Sequence, residues 1–238
     1  APLPTRTISG PPNHPARPRR EPTMPTTPTT EHLKEMTWEL HKAAEGHRLQ
    51  RSLLKGELSR EMYATWLGQL LCVHRALESA LRDLRERKPA VARFVDDGRF
   101  QESRLEQDLR DLGVEIGQVA PLPAAKRLMA IIEMARAERP IALLGMHYVL
   151  EGSTNGGRFI AKALRQAYGF EGESCTRYYD PYGDSQRGLW ASYKQEFDAL
   201  EISDPERDAM VAAARDVFRA MSEIGDDVLS LEARAATV

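Results

Sequence analysis

The sequence predicts an all-α fold in one domain, and three observations carry that expectation. From Glu31 onward, apolar residues recur at helical spacing almost everywhere. No alternating segment of strand length occurs, and no internal repeat divides the chain. At 238 residues the chain is long enough to bury a substantial core. Residues 1–30 stand apart, because nine of the fifteen prolines fall there among Thr repeats and almost no large apolar residues. Such a segment cannot bury enough surface to offset its ordering entropy, so residues 1–30 read as a disordered tail and 31–238 as the folded domain.

The elements follow in order. Leu33, Met36, Thr37, Leu40, His41 and Ala44 form one stripe of a first helix. A second begins near Ser59, carries Met62, Trp66, Leu70, Val73, Leu77 and Leu81 on its stripe, and ends by Pro89. A helix over 99–112 stops at Gly113, and another over 123–138 is closed off by Pro140. Residues 141–168 read as a long helix interrupted by glycines, followed by a Gly/Tyr/Asp-rich loop over 170–184 and a helix over 185–200. The last helix has the clearest start. Ser203-Asp204-Pro205-Glu206 has capping-box spacing with proline in the first turn, and the stripe runs Met210, Ala214, Val217, Met221, Ile224, Val228.

Composition narrows the function. A net charge of −2 implies no general attraction to nucleic acid or to an anionic membrane surface. The two cysteines, Cys72 and Cys175, lack metal-binding spacing and fit a reducing compartment. No apolar run reaches the roughly 18 residues of a membrane span, and no signal-peptide core is present, so the expected location is cytoplasmic.

Two segments carry chemistry. His41 lies on a stripe expected to face the core, where a lone histidine is more often a satisfied core residue than a ligand. Lys34 lies seven residues earlier, on nearly the same face and about 10 Å along the axis. A neutral imidazole can coordinate iron while that ammonium pairs with an anionic edge. Glu45, one turn after His41, is either a hydrogen-bond acceptor for the second ring nitrogen or a solvated charge at the helix end. The second segment places Gly152, Gly156 and Gly157 inside a helical pattern, where each costs about 0.5–1 kcal/mol relative to alanine. Gly152 and Gly156 are one turn apart and strip one face to backbone. That face suits either a flat ligand with a diatomic molecule, or a close helix crossing.

The run Leu33-Lys34-Glu35-Met36-Thr37-Trp38-Glu39-Leu40-His41-Lys42-Ala43-Ala44-Glu45 resembles the proximal helix of heme oxygenases, and Gly56 through Leu81 is similar to that family's second helix. Tyr148-Val149-Leu150-Glu151-Gly152-Ser153, followed by Gly156-Gly157, resembles the distal helix, particularly of bacterial enzymes found beside bacteriophytochromes. The resemblance spans roughly residues 31–230. It implies a multi-helix bundle with heme between the proximal and distal helices, His41 as axial iron ligand and Lys34 on a propionate. Thr37 and Glu45 belong to the same proximal signature. Gly152, Gly156 and Gly157 are implied to contact heme and bound oxygen. Lys194, flanked by Trp190 and Tyr193, matches a basic propionate contact, and Phe218 matches an aromatic of the distal pocket.

One departure concerns the residue after the first glycine. Ser153 stands where animal and several bacterial enzymes place an aspartate that anchors distal waters, and a hydroxyl cannot supply a fixed charge. His147 stands where animal enzymes have a tyrosine.

The activity implied is oxidative opening of heme to biliverdin, CO and iron. It consumes O2 and draws electrons from a donor such as a ferredoxin or an NAD(P)H-dependent reductase, with a bacteriophytochrome as candidate biliverdin acceptor. Two alternatives stand beside it. One is a heme-binding carrier or sensor without turnover, motivated by Ser153. The other is a non-heme diiron oxidase of the same fold, built on the HxxxE pairs His41/Glu45 and His147/Glu151.

Overall fold

The computed structural model describes residues 27–235, so residues 1–26 of the tail expected over 1–30 lie outside the described residues. Eight α-helices occur among them, and no strand. The helices are α1 (Thr29–Glu45), α2 (Arg48–Lys55), α3 (Arg60–Arg87), α4 (Glu102–Asp111), α5 (Pro123–Glu138), α6 (Leu143–Tyr168), α7 (Gln186–Asp198) and α8 (Asp204–Ala235).

The first helix begins two residues before the expected domain boundary. Thr29 and Thr30 are buried, and Asp198 at the end of α7 accepts hydrogen bonds from both the backbone N–H and the hydroxyl of Thr30, each 2.8 Å long. Pro28 precedes the helix and offers no side-chain cap. A carboxylate from α7 therefore supplies the negative charge that the α1 N-terminus favours.

The short α2 has no counterpart in the sequence reading. His47 caps it by accepting from Leu49 N–H, and Gly56 ends it at φ +68°, a left-handed conformation that favours glycine. The glycines of α6 do not interrupt it, and the helix runs continuously to Tyr168.

Two long helices organise the core. α8 packs against α1, α2, α3, α5 and α6, while α3 packs against α4, α5, α6 and α8. At the α6–α8 crossing, Gly145 lies so close to the Met210 carbonyl that any side chain there would overlap it. The loop between α6 and α7 folds back onto α4. Buried Asp108 accepts from the backbone N–H groups of Arg177 (3.1 Å) and Tyr178 (2.9 Å) and from the Arg177 guanidinium. From α3, the Tyr63 hydroxyl donates to the Cys175 carbonyl, and the Trp66 indole N–H donates to the Tyr179 hydroxyl. This loop is thereby a rigid backing for α6.

Candidate active site

The helices that carry His41 and the glycines share their neighbours. Both α1 and α6 pack on α8 and on α7, while no extensive packing joins α1 to α6 directly. Large apolar side chains are left exposed on these two helices: Met36 (42%) and Trp38 (46%) on α1, and Phe159 (79%) on α6. Exposed apolar side chains are common singly, so these matter only for where they stand, beside His41 and beside Gly156.

His41 is not buried as its stripe suggests. Its side chain is 43% exposed, because α1 turns only Leu33 and Thr37 of that stripe fully inward and leaves Met36 outside. The imidazole stacks on Trp38 (centroids 5.7 Å apart, planes at 10°) and meets Phe218 of α8 edge-on at 5.8 Å. Nδ1 is buried with no hydrogen-bond partner and lies 3.7 Å from a Glu45 carboxylate oxygen, beyond a good hydrogen bond. The exposed part of the ring is therefore its opposite edge. Phe218 stands on the His41 side, not on the glycine side where the resemblance put it. Thr37 is buried, its hydroxyl donating to the Leu33 carbonyl at 2.7 Å, so it offers no polar group to a ligand. Lys34 is exposed on α1.

The three glycines of α6 have three different environments. A methyl group at Gly157 would overlap the Tyr179 carbonyl, so this glycine serves the close approach of the backing loop and faces no ligand. At Gly152 it would meet the Trp190 indole at 3.4 Å. At Gly156 it would meet nothing within 4 Å. The open face is thus centred on Gly156, with Phe159 one turn further along. Between the glycines, three consecutive side chains bond back to the helix. Ser153, Thr154 and Asn155 donate to the carbonyls of Leu150, Glu151 and Gly152 at 2.6, 2.7 and 2.9 Å. The Ser153 and Tyr178 hydroxyls are also hydrogen-bonded.

Behind α6 lies a buried polar layer. Glu151 takes a 2.6 Å ion pair from Arg99 and a hydrogen bond from the Tyr182 hydroxyl. His147 Nδ1 meets the Tyr193 hydroxyl at 3.1 Å, and His74 Nδ1 meets Glu78 at 3.1 Å. Burial, followed by the nearby charges of Arg99 and His74, pushes the His147 imidazole down to about 3, so it stays neutral. Tyr193 is fully buried between Phe94, Phe197 and Trp190, a core position and not a cofactor contact. Among the described residues, no group of three His, Cys, Asp or Glu side chains is arranged to hold a metal ion. Glu151 is spent on Arg99 and His147 on Tyr193, so the two HxxxE pairs do not assemble the diiron ligand set considered above.

The family model of heme oxygenase matches residues 27–226. The chain belongs to the heme oxygenase family. It is 24% identical to human heme oxygenase 1 over 193 residues, covering 79% of this chain and 67% of the human one. It is 26% identical to heme oxygenase 2 of Synechocystis over 209 residues, covering 84% and 82%. Its fold matches the crystal structure of Synechocystis heme oxygenase-1 in complex with heme, with a TM-score of 0.80 at 21% identity, over 89% of this chain and 96% of that one.

The residues of this family member suit the macrocycle its family is named for. Trp38 and the outer edge of His41 are exposed on α1, and the bare backbone at Gly156 and the Phe159 ring are exposed on α6. Lys34 on α1 and Lys194 on α7 are cations available to peripheral carboxylates. The Lys194 ammonium lies 5.8 Å above the Trp190 ring centre. Of the residues singled out from sequence, His41, Glu45 and Phe218 come together on one wall. Gly152, Ser153 and Gly156 lie on the other. Thr37, Gly157 and Tyr193 are turned inward. Trp38, Phe159 and the back-bonding of Thr154 and Asn155 escaped the sequence reading. The solvent-facing aromatics at Trp38 and Phe159, beside His41 and Gly156, were the available signal.

Proposed function

We propose that the chain is an active heme oxygenase, binding heme between α1 and α6 and opening it to biliverdin, CO and iron. The observation that supports this best is the pairing of a half-exposed His41 on one wall with the one glycine, Gly156, whose missing side chain faces open space on the other. When bound, heme supplies both the iron at which O2 is activated and the porphyrin carbon that is oxidised. The chain's own residues hold it. His41 offers a ring nitrogen, Trp38 and Phe218 limit rotation of its imidazole, and Gly156 keeps the opposite face free for a diatomic molecule. Lys34 and Lys194 neutralise the propionates.

Side chains at the glycine face supply no acid. The Ser153 hydroxyl donates to a carbonyl, and burial raises the Tyr178 phenol well above its ordinary range. Protons consumed there come from water. Electrons come from an external donor such as a ferredoxin or an NAD(P)H-dependent reductase, and a bacteriophytochrome is the proposed acceptor of biliverdin. No helix among the described residues is long and apolar enough to cross a membrane.

Hemin titration followed by ascorbate or a ferredoxin system in air tests the reading. The expected result is a Soret band that decays as biliverdin absorption rises. A stable Soret band under reduction would instead identify a carrier, the reading favoured by Ser153. His41→Ala is expected to abolish biliverdin formation and to shift the Soret band of whatever hemin still binds. Normal biliverdin yield from that variant would remove His41 as the iron ligand.

A further inference from the structure

Trp190 lies where α7 packs on the glycine-bearing helix α6. Its ring stacks on Tyr193 (centroids 5.2 Å apart, planes at 12°) and packs tilted against Tyr148 at 5.6 Å. Its six-membered edge lies over Gly152, with Cη2 at 3.4 Å from where a side chain there would begin, and it carries the Lys194 ammonium 5.8 Å from its centre. Tyr193 is itself fixed by full burial and by its hydrogen bond to His147. The indole is therefore a rigid stop over Gly152 while Gly156, one turn on, stays open.

We propose that Trp190 sets where heme rests along α6 and how it is turned in its plane, and so selects which porphyrin bridge is attacked. A flat ligand sliding along the bare face toward the α6 N-terminus runs into the indole. The cation–π contact places the Lys194 ammonium at that same stop, so the steric limit and one propionate anchor are a single unit. This rests on the heme reading above. A phenylalanine at this position would keep the stop and most of the anchor, and an alanine would remove both.

The test is proton NMR of the ferric cyanide complex, in which the heme-methyl shifts report in-plane orientation, alongside chromatography of the biliverdin isomers. Trp190→Ala is expected to move the methyl pattern or add a second set of methyl resonances, with a matching change in isomer ratio. Trp190→Phe is expected to keep the wild-type pattern. A residue that merely stabilises α7 would lower the melting temperature and leave the methyl pattern alone. If the alanine variant does not fold, Trp190→Leu carries the same expectation. A folded alanine or leucine variant with wild-type methyl shifts and isomer ratio would overturn the proposal while leaving heme oxygenase activity intact. Wild-type protein that fails to bind hemin would overturn both.

Discussion

Alanine at Gly157 is expected to destabilise the protein by about 3 kcal/mol, whereas alanine one residue earlier, at Gly156, is expected to stabilise it. The two positions share a helix, and alanine lowers the intrinsic cost of helix formation equally at both, by about 0.5–1 kcal/mol. Their surroundings decide the difference. A methyl at Gly157 overlaps the Tyr179 carbonyl, and that loop cannot retreat. Asp108, Tyr63 and Trp66 hold it by hydrogen bonds at Tyr178 and Cys175, just before Tyr179, and at the Tyr179 hydroxyl. For a domain of this size, about 3 kcal/mol corresponds to a melting temperature lower by roughly 6–12 °C. At Gly156 the methyl enters open space, so the heme-free protein gains the helix term. The same methyl would occupy the face that heme rests on, and hemin affinity is expected to fall about tenfold or more. Melting curves with and without hemin read both effects. A Gly156→Ala variant with unchanged hemin affinity would take this face out of the binding site.

Replacing His147 with glutamine is expected to change the slope of stability against pH more than its level. Burial holds the folded-state imidazole at about 3 against about 6.5 in the unfolded chain, so the unfolded state binds more protons between those values. The contribution of neutral His147 is complete above pH 6.5 and is lost as pH falls toward 3, amounting to about 3 kcal/mol between pH 7 and pH 4. Asp108 works in the opposite sense. Its burial drives the carboxyl up to about 6 against the pull of the Tyr178 and Arg177 N–H groups and the Arg177 guanidinium. The folded state then holds a proton that the unfolded state has lost, and Asp108 contributes about 2 kcal/mol of added stability as pH falls from 6 to 4. The Asp108 slope offsets roughly two-thirds of the His147 slope. Urea melts from pH 4 to 7 should therefore show acid stabilisation in His147→Gln and a steeper acid loss in Asp108→Asn, compared with a flatter wild type. Parallel curves for all three proteins would contradict both assignments.

Elements with long stripes and strong punctuation were legible in the sequence. α5 runs between Pro123 and Glu138 as its flanking prolines predict, and α8 starts at the expected cap, where the Glu206 carboxylate accepts from Ser203 N–H at 2.9 Å. α2 was not legible, because eight residues with only two core leucines, Leu49 and Leu53, do not build a readable period. Site residues were legible by type and not by direction. Spacing placed His41 and Thr37 on one stripe, and only the packing of α1 on α7 and α8 decides that Thr37 is buried and His41 half-exposed. The glycines show the same limit. Period alone made Gly152, Gly156 and Gly157 a single feature, while their roles depend on Trp190, on open space and on Tyr179, residues of other segments that no local pattern announces.

The crossing at Gly145 has a consequence for what the cleft can accept. α1 and α6 hang from α8 like the two arms of a caliper, and the gap between the arms is set where each is fastened. On the α6 side the fastening is the bare backbone of Gly145 against Met210. A bulkier residue there would wedge α6 away from α8 and spread the arms, at a position two turns before Gly152 on α6. Tolerance for a thicker or more heavily substituted macrocycle is thus adjustable from outside the cleft, and a screen for altered substrate range has reason to begin at residue 145.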